Sequence, residues 1–447
     1  MEEPIISVSG LRGIIGESLS PELAMRFACA FANGLSAGPI VVTRDGRHTG
    51  RMLADAIRAG LCAVGRDVID ANVAATPTTG LLVRQTKAAG GIQISASHNP
   101  PAYNGIKLFG SEGRVLTADL GARVVSRYRR GDIDWVRHDG IGAVRICADT
   151  ISEHLDLVLA NVDVDRIRGQ RFKVLLDSNH GAGSILGQRL LEELGCQITL
   201  LGGEPDGQFE HTPEPTAENL RGVRERIVEA GAAVGFCQDP DADRLALIDE
   251  AGRYVGEEFT LVLCLDHVLG QSAGPVVTNC ATSRMSEDIA NKHGADFHRS
   301  AVGEANVCTM MQEKQAVFGG EGNGGPIDPR VGFVRDSFVG MALILDAMAA
   351  ADKQLSELAN ALPNYDIRKT TITLDRDQIP TALDTLEKHF ADATASRLDG
   401  LRLDWPDRWL LIRASNTEPI VRIIAEAPDE AGSQKLCSDA ADAIDAR

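Results

Sequence analysis

The chain has little positive charge. Its 447 residues include 45 Lys and Arg against 63 Asp and Glu, which gives a net charge of −18 and a pI near 5.0. A chain this acidic does not offer the basic surface that nucleic acid or an anionic membrane needs, so we expect neither partner. Any positive charge that an anionic ligand requires must then be concentrated in a few local motifs.

Cysteine pairs and long apolar runs are missing as well. The nine cysteines form no C-x-x-C pair and lie mostly in apolar segments, which argues against a disulfide framework or a zinc site. No run approaches the roughly 18 uninterrupted apolar residues of a membrane span. The start, Met1-Glu2-Glu3-Pro4, lacks the basic and apolar segments of a signal peptide. These absences predict a cytoplasmic protein with reduced thiols.

What the chain does have is a repeated α/β pattern. Aromatic residues make up only 4% of it, but 44% is hydrophobic and 24% charged, which is the composition of a globular protein. A unit of strand, loop, helix, glycine and strand over 39–70 returns over 172–201 and 275–297, and the first copy is followed by a predicted turn at 76–79. Three copies predict three similar domains with mostly parallel sheets, and the pattern changes after Pro363.

The first chemical motif lies over residues 92–109. A short strand ends at Ile94, the next six residues read Ser-Ala-Ser-His-Asn-Pro, and an Asn104-Gly105 step predicts a turn before a second strand. Ser97 is well placed to be a nucleophile, because it lies on a tight loop just past a strand end, and His98 or Lys107 is able to move protons or neutralise an anion. Taken alone, the motif also fits an ordinary Ser/Asn/Pro turn.

A second motif places three carboxylates at alternate positions after the strand 233–237. Asp239, Asp241 and Asp243 would repel one another unless a divalent cation lay among them, and oxygen ligands favour a hard ion, Mg²⁺ first. An EF-hand is excluded because the sixth loop position is Arg244 rather than glycine. A solvated acidic turn is the alternative.

Two further loops have the composition of ligand sites. Five glycines over 319–325 surround Glu321 and Asn323, which allows close approach to a polyol, with a flexible hairpin as the alternative. The segment from Arg413 to Arg422 combines guanidinium groups, hydroxyls and free backbone N–H groups, and this combination favours a phosphate clamp.

Together these motifs resemble those of the α-D-phosphohexomutases, the family of phosphoglucomutase, phosphomannomutase and phosphoglucosamine mutase. The family's serine loop reads Thr-Ala-Ser-His-Asn-Pro, and this chain has Ser95 in place of the threonine. The resemblance covers nearly the whole chain. It implies an α/β fold of four domains around a central cleft, three similar domains with mixed or parallel sheets followed by a smaller α+β domain. The limits that we expect are 1–150, 151–252, 253–364 and 365–447.

The resemblance also implies roles for individual residues. Ser97 would carry the phosphoryl group, and Asp239, Asp241 and Asp243 would bind Mg²⁺ together with an oxygen of phospho-Ser97. The expected catalytic residues are Ser97, Lys107, His98 and Arg12, with Arg47 as structural support. The expected substrate-binding residues are Arg244, Glu321, Asn323, Arg413, Ser415, Asn416, Thr417 and Arg422. Gly325 stands where many relatives have a histidine, which leaves Lys107 as the better candidate for the base.

The implied activity is interconversion of hexose 1-phosphate and hexose 6-phosphate through a phosphoserine and a hexose 1,6-bisphosphate, which also serves as primer. Two other classes stay open: a phosphatase, in which water takes the phosphoryl group from Ser97, and a catalytically silent protein that binds sugar phosphates. The sequence does not decide between glucose, mannose and glucosamine phosphates, nor between a monomer and a homodimer.

Overall fold

The computed structural model describes residues 3–7, 10–414 and 420–445. Within them, four β-sheets follow one another along the chain and surround a central cavity. Three sheets are mixed and the fourth is antiparallel, so the predicted α/β architecture of four domains is confirmed. The domain limits drawn from the sequence stay a prediction. Ser415, Asn416 and Thr417 of the expected phosphate clamp lie outside the described residues.

The first domain holds a sheet of seven strands. Its strands are β1 (Ile5–Ser7), β2 (Gly10–Ile14), β3 (Ile40–Arg44), β4 (Val68–Val73), β5 (Gly90–Ile94), β6 (Tyr103–Gly110) and β7 (Val144–Ile146). Its helices are α1 (Pro21–Ala32), α2 (Gly50–Ala63), α3 (Thr76–Gln85) and α4 (Ala118–Arg130), with a 3₁₀ turn at His138–Gly140. The strand order is β1-β2-β6-β5-β3-β4-β7. Strands β3 and β5 are parallel neighbours at the centre, which explains why nine of their ten residues are buried.

Two local predictions in this domain are wrong. The Asn104-Gly105 step does not turn but lies inside β6, because Gly105 pairs with Arg12 of β2. Residues 76–79 do not form a separate turn but begin α3, where Pro77 is tolerated because the first N–H groups of a helix need no partner within it.

The second domain has four strands in the order β11-β10-β8-β9. They are β8 (Lys173–Asp177), β9 (Gln197–Leu201), β10 (Val234–Gln238) and β11 (Leu245–Asp249), and the helices are α5 (Ser152–Leu159), α6 (Val164–Gln170), α7 (Gly183–Glu193) and α8 (Arg221–Ala230). Strands β8, β9 and β10 are parallel, whereas β10 and β11 form an antiparallel pair whose connecting loop carries the three aspartates.

The third domain has the strand order β13-β12-β14-β15. Its strands are β12 (Val276–Asn279), β13 (Phe297–Ser300), β14 (Phe318–Glu321) and β15 (Gly325–Ile327), and its helices are α9 (Glu257–Gln271), α10 (Met285–Lys292), α11 (Glu304–Lys314), α12 (Ser337–Ala351) and α13 (Leu355–Asn360). Asp336 caps α12, because its carboxylate accepts hydrogen bonds from the N–H groups of Phe338 and Val339.

The fourth domain is an antiparallel sheet with two helices. Its strands are β16 (Asp366–Thr373), β17 (Thr394–Ser396), β18 (Leu401–Asp404), β19 (Trp409–Ala414) and β20 (Ile420–Ala427), and its helices are α14 (Ile379–His389) and α15 (Glu430–Asp445). The strand order is β16-β20-β19-β18-β17.

Helix α12 joins the second and third domains. Thirteen of its 15 residues are buried, and it is apolar on every side, as expected of a helix with no face in water. It packs against α5, α6 and α7 of the second domain and against α9 of the third. One hydrophobic core therefore serves both domains, whereas the first and fourth have cores of their own. Across the described ranges, no helix is both long and apolar enough to cross a membrane.

Trp409 connects the fourth domain to the third. Its side chain is fully buried in a small cluster with Cys280 and Ile424. The indole Nε1–H donates to Glu426 Oε1 at 2.7 Å, and the guanidinium of Arg402 lies 4.2 Å from the ring centre and donates to the carbonyl of Cys280. The contact combines apolar burial with a cation–π interaction.

Replacing Trp409 with alanine should loosen this contact. Truncating a buried tryptophan costs about 3–5 kcal/mol, so we expect a lower melting temperature in scanning calorimetry and faster proteolysis within 365–445. Leu398→Ala is the control, since Leu398 is 49% exposed in the same domain. Equal melting of the two variants would contradict the proposed contact.

Candidate functional site

A cavity of about 800 Å³ lies where the four domains meet. Its cationic lining residues are Arg12, Arg244, Lys369, Arg413 and Arg422. A second cavity of about 470 Å³ shares Arg12, Arg413 and Arg422 with the first and reaches Ser97 and Lys107. An anionic ligand therefore meets concentrated positive charge here, although the chain as a whole is strongly acidic.

Ser97 lies on the loop after β5, with its hydroxyl directed to the acidic loop. Its Oγ donates to Asp239 Oδ2 at 2.7 Å, and His98 Nδ1 lies 3.3 Å from Ser97 Oγ. The backbone of Ser97 has a φ of 49°, in the left-handed region that serine rarely adopts. Such a conformation persists where the surroundings enforce it, and here the Ser97 N–H donates to Ser95 Oγ, which in turn donates to Asp45.

Arg47 holds this loop from its buried side. Its Nε–H donates to Asp45 Oδ2 at 3.1 Å. Its four other N–H groups donate to backbone carbonyls at 2.6–3.0 Å, those of Ser97, Asn99, Pro100 and Tyr103. Every donor of the guanidinium is thus used, in the planar geometry that arginine offers and lysine does not. Arg12 contributes a further hydrogen bond to the loop, from Nη1 to Asn99 Oδ1 at 3.1 Å.

The three aspartates form one buried cluster between β10 and β11. One carboxylate oxygen from each lies within 4.8 Å of the others. Asp241 Oδ1 and Asp243 Oδ1 are buried and have no hydrogen-bond partner among the described residues. Unpaired buried oxygens are costly, so this donor set, made of carboxylate oxygens alone, fits a hard divalent cation. Arg244 follows directly, and its backbone N–H donates to Asp239 Oδ1 at 3.1 Å.

Lys107 and Arg335 compensate the charge of this cluster. Lys107 Nζ lies 3.1 Å from Asp241 Oδ2 and 2.7 Å from Asp243 Oδ2, and Arg335 Nη2 lies 2.6 Å from the latter oxygen. Burial disfavours the Lys107 ammonium, but the two carboxylates outweigh burial and raise the pKa of Lys107 above its ordinary value. Burial likewise opposes ionisation of Asp241, but Lys107 and nearby hydrogen bonds lower the pKa of this carboxyl.

The pKa values of Asp239 and His98 shift towards the uncharged form of each group. Burial, followed by repulsion from Asp241 and Asp243, raises the pKa of Asp239 well above its ordinary value. Burial, followed by the nearby guanidinium groups of Arg244 and Arg12, lowers the pKa of His98 to about 3. The imidazole beside Ser97 is therefore uncharged near neutral pH.

The loop between β14 and β15 carries the predicted polyol-binding pair. Glu321 Oε1 accepts from Asn279 Nδ2 at 2.6 Å and from the N–H of Gly303 at 3.1 Å, and Arg335 Nη1 donates to Oε2 at 2.9 Å. Asn323 lines the large cavity, and its Oδ1 has no partner among the described residues. Both side chains thus line the large cavity.

The structure explains why position 325 is a glycine. A Cβ at this position would lie 2.4 Å from Cδ of Arg335, so the arginine occupies the space that a side chain at 325 would need. Gly325 thus leaves the space that the Arg335 side chain fills.

Arg335 is the residue that the sequence analysis missed. The Arg335 guanidinium is buried between Asp243 and Glu321 and lies 3.6 Å from Glu304. It connects the acidic loop of the second domain to the loop of the third that carries Asn323, next to Glu321. Lys369, on β16, was missed too, because an exposed lysine in a strand gives no signal of a site.

Arg413 and Arg422 face each other across β19 and β20 as paired residues. Arg413 Nε lies 3.2 Å from Asp399 Oδ2, and both arginines line the two cavities. The structure thus brings together Arg12, Ser97, His98, Lys107, Arg244, Glu321, Asn323, Arg413 and Arg422 of the expected residues around one space.

Models of the phosphoglucomutase/phosphomannomutase family match the chain in four successive parts. The three α/β/α domains of the family match residues 5–133, 152–252 and 257–365, and its C-terminal domain matches residues 373–443.

Known relatives match over almost their whole length. A phosphoglucomutase/phosphomannomutase of Thermococcus kodakarensis is 38% identical over 94% of each chain. A probable phosphoglucosamine mutase of Methanopyrus kandleri is 32% identical over 98% of this chain and 96% of that one. The crystal structure of a phosphoglucomutase/phosphomannomutase family protein from Burkholderia thailandensis is 27% identical and superposes with a TM-score of 0.82 over 99% of this chain and 98% of that one.

Four successive domains whose residues line the same central cavities define a multidomain protein of α/β architecture. The four family matches and the named relatives show that the chain belongs to the phosphoglucomutase/phosphomannomutase family, the α-D-phosphohexomutases. The chain is an isomerase.

Replacing Arg47 with alanine should release the serine loop. Asp45 would remain buried without its partner, and breaking a buried ion pair costs about 3–5 kcal/mol. We expect a lower melting temperature and faster hydrogen exchange at residues 97–103. Arg51→Ala, an exposed position on α2, is the control. Unchanged exchange in Arg47→Ala would show that the loop does not depend on this guanidinium.

Proposed function

We propose that the chain interconverts hexose 1-phosphate and hexose 6-phosphate by way of a phosphoserine at Ser97 and a hexose 1,6-bisphosphate. The observation that carries this proposal is the Ser97 hydroxyl, which lies 2.7 Å from an aspartate of a buried acidic cluster, next to cavities lined by arginines. Relatives named phosphoglucomutase/phosphomannomutase and phosphoglucosamine mutase support the same reaction.

We propose Mg²⁺ as the ion of the acidic cluster. Asp239, Asp241 and Asp243, together with an oxygen of phospho-Ser97, would hold it, and the two unpartnered carboxylate oxygens support this assignment. When bound, Mg²⁺ would neutralise phosphoryl oxygens and so favour transfer.

In the first half-reaction, the bond between Ser97 Oγ and phosphorus breaks and a bond from the sugar hydroxyl oxygen to phosphorus forms. The proton of the sugar hydroxyl leaves, and Ser97 Oγ gains a proton. We assign these proton transfers to Lys107, on β6, and to the uncharged His98, since Lys107 lines the same cavity as Ser97 and His98 Nδ1 lies 3.3 Å from Ser97 Oγ. Because the neighbouring carboxylates raise its pKa, Lys107 stays protonated and is the group that donates to Ser97 Oγ. The uncharged His98 accepts the proton of the sugar hydroxyl, and the second half-reaction reverses both transfers.

The rest of the cavity holds the substrate either way round. Arg413 and Arg422 bind the phosphate that is not transferred, Arg12 and Arg244 lie beside the transferred one, and Glu321 and Asn323 bind hydroxyls. Because the bisphosphate presents a phosphate at both ends, the same groups serve both orientations after it turns over. Exclusion of water by the surrounding domains protects the phosphoserine from hydrolysis.

Ser97→Ala should abolish turnover. We would measure formation of 6-phosphates from glucose, mannose and glucosamine 1-phosphates in a coupled assay with Mg²⁺ and a trace of hexose 1,6-bisphosphate. Ser36→Ala, at an exposed position outside both cavities, is the matched control and should remain active. Free hexose in place of 6-phosphate would favour a phosphatase, and an active Ser97→Ala protein would exclude the phosphoserine route.

Asp241→Asn should weaken metal binding. Titration of Mg²⁺ into the protein without sugar phosphate, followed by calorimetry, should give one site, and the variant should bind at least about 10-fold more weakly because a ligand oxygen is lost. Asp165→Asn, whose side chain is 99% exposed, should bind like the unaltered protein. Equal affinity in all three proteins would count against the acidic cluster as the metal site.

A further inference from the structure

Glu258 is a carboxylate in the large cavity that the proposed reaction does not use. It lies in the first turn of α9 and lines the same space as Asn323 and the cavity arginines. The proposed chemistry assigns the phosphates to arginines and the hydroxyls to Glu321 and Asn323, which leaves Glu258 without a role.

The Glu258 carboxylate lies against the sugar-binding loop. A Cβ built on Gly322 would be 2.1 Å from each of its two oxygens, so a side chain at 322 would displace the carboxylate from its present position. Gly322 is the residue between Glu321 and Asn323. Glu258 therefore lies beside the two residues proposed to bind the sugar hydroxyls, against the glycine that separates them.

Few groups of the protein stabilise the negative charge of the Glu258 carboxylate. Over the described residues, its single hydrogen bond comes from the N–H of Ser283, at 3.1 Å from Oε2, and no Lys, Arg or His nitrogen lies within the 4.0 Å of a salt bridge. The charge of Lys369 favours the ionised carboxylate, whereas the charges of Glu257 and Glu426 disfavour it. Burial, only partly offset by Lys369, raises the pKa of Glu258 to about 8.

A carboxylate in this position discriminates between ligands by charge. Near neutral pH the group is largely protonated, and in its ionised form it repels a phosphate. It gains little from a neutral hydroxyl that also has other acceptors nearby. A cationic substituent on the sugar ring, in contrast, would restore the missing compensation and hold the carboxylate ionised. Among hexose phosphates, an amino sugar provides such a group.

We propose that Glu258 is a specificity-determining residue that accepts a hydrogen bond from the ammonium group of a 2-amino-2-deoxyhexose phosphate. The proposal rests on the function proposed above and names the substrate class of that site. Glucosamine 1-phosphate and glucose 1-phosphate differ only at carbon 2, so the pair isolates the contribution of this contact.

The first test compares kcat/KM for these two substrates. Glu258→Gln keeps the shape and removes the charge, and it should lower the ratio of glucosamine 1-phosphate to glucose 1-phosphate by about 10- to 100-fold, as expected for one lost charge-assisted hydrogen bond. Glu229→Gln, exposed on α8, should leave the ratio unchanged. An equal loss with both sugars, or no loss, would overturn the proposal.

Gly322→Ala provides a second variant without any change of charge. The added methyl group would displace the Glu258 carboxylate, so the same ratio should fall. A variant that loses turnover of both sugars equally would indicate damage to the loop and would count against a role in selectivity.

Binding separates this proposal from the mutase function. Selectivity is measured without turnover by calorimetry of glucosamine 6-phosphate and glucose 6-phosphate. The titrated proteins are Ser97→Ala and the double variant Ser97→Ala with Glu258→Gln. Tighter binding of glucosamine 6-phosphate that depends on Glu258 would support the proposal even if the unaltered protein isomerised no sugar. Equal binding of the two sugars to Ser97→Ala would overturn it even if mutase activity were established.

Discussion

Three buried carboxylates in one loop set the conditions for the rest of the site. Like charges within 4.8 Å of one another, away from water, are unfavourable unless opposite charge reaches them. Lys107 supplies that charge from the first domain and Arg335 from the third, and Arg335 continues to Glu321. The ion pairs that balance the charge of the cluster therefore also hold three domains in their relative positions.

Much of the site was predictable because its motifs follow regular strands. Ser97 comes after β5, the aspartates after β10 and Glu321 at the end of β14, and apolar patterns marked each of these strands in the sequence. Arg335 gave no such signal, because its partner Asp243 is 92 residues away and only packing of α12 brings the two together. Local turn propensity failed at 104–105 for a similar reason, since pairing with β2 overrides it.

The contrast between net charge and local charge explains how an acidic chain handles anions. With a net charge of −18, the exterior repels anionic molecules in general, while five cations from three domains line one cavity. Low-dielectric walls strengthen the field of those cations inside the cavity, and salt screens it less there than at the surface. Affinity for phosphate groups is thus confined to the place where the domains meet.

The core shared through α12 has a consequence for the order in which the chain folds during synthesis. The helices of the second domain are complete by residue 230, but the helix that covers their apolar faces spans Ser337–Ala351. Those faces stay uncovered on the ribosome until the third domain has been made. The second domain is a sequence module without being an independent folding unit, so we expect a fragment that ends at residue 252 to aggregate.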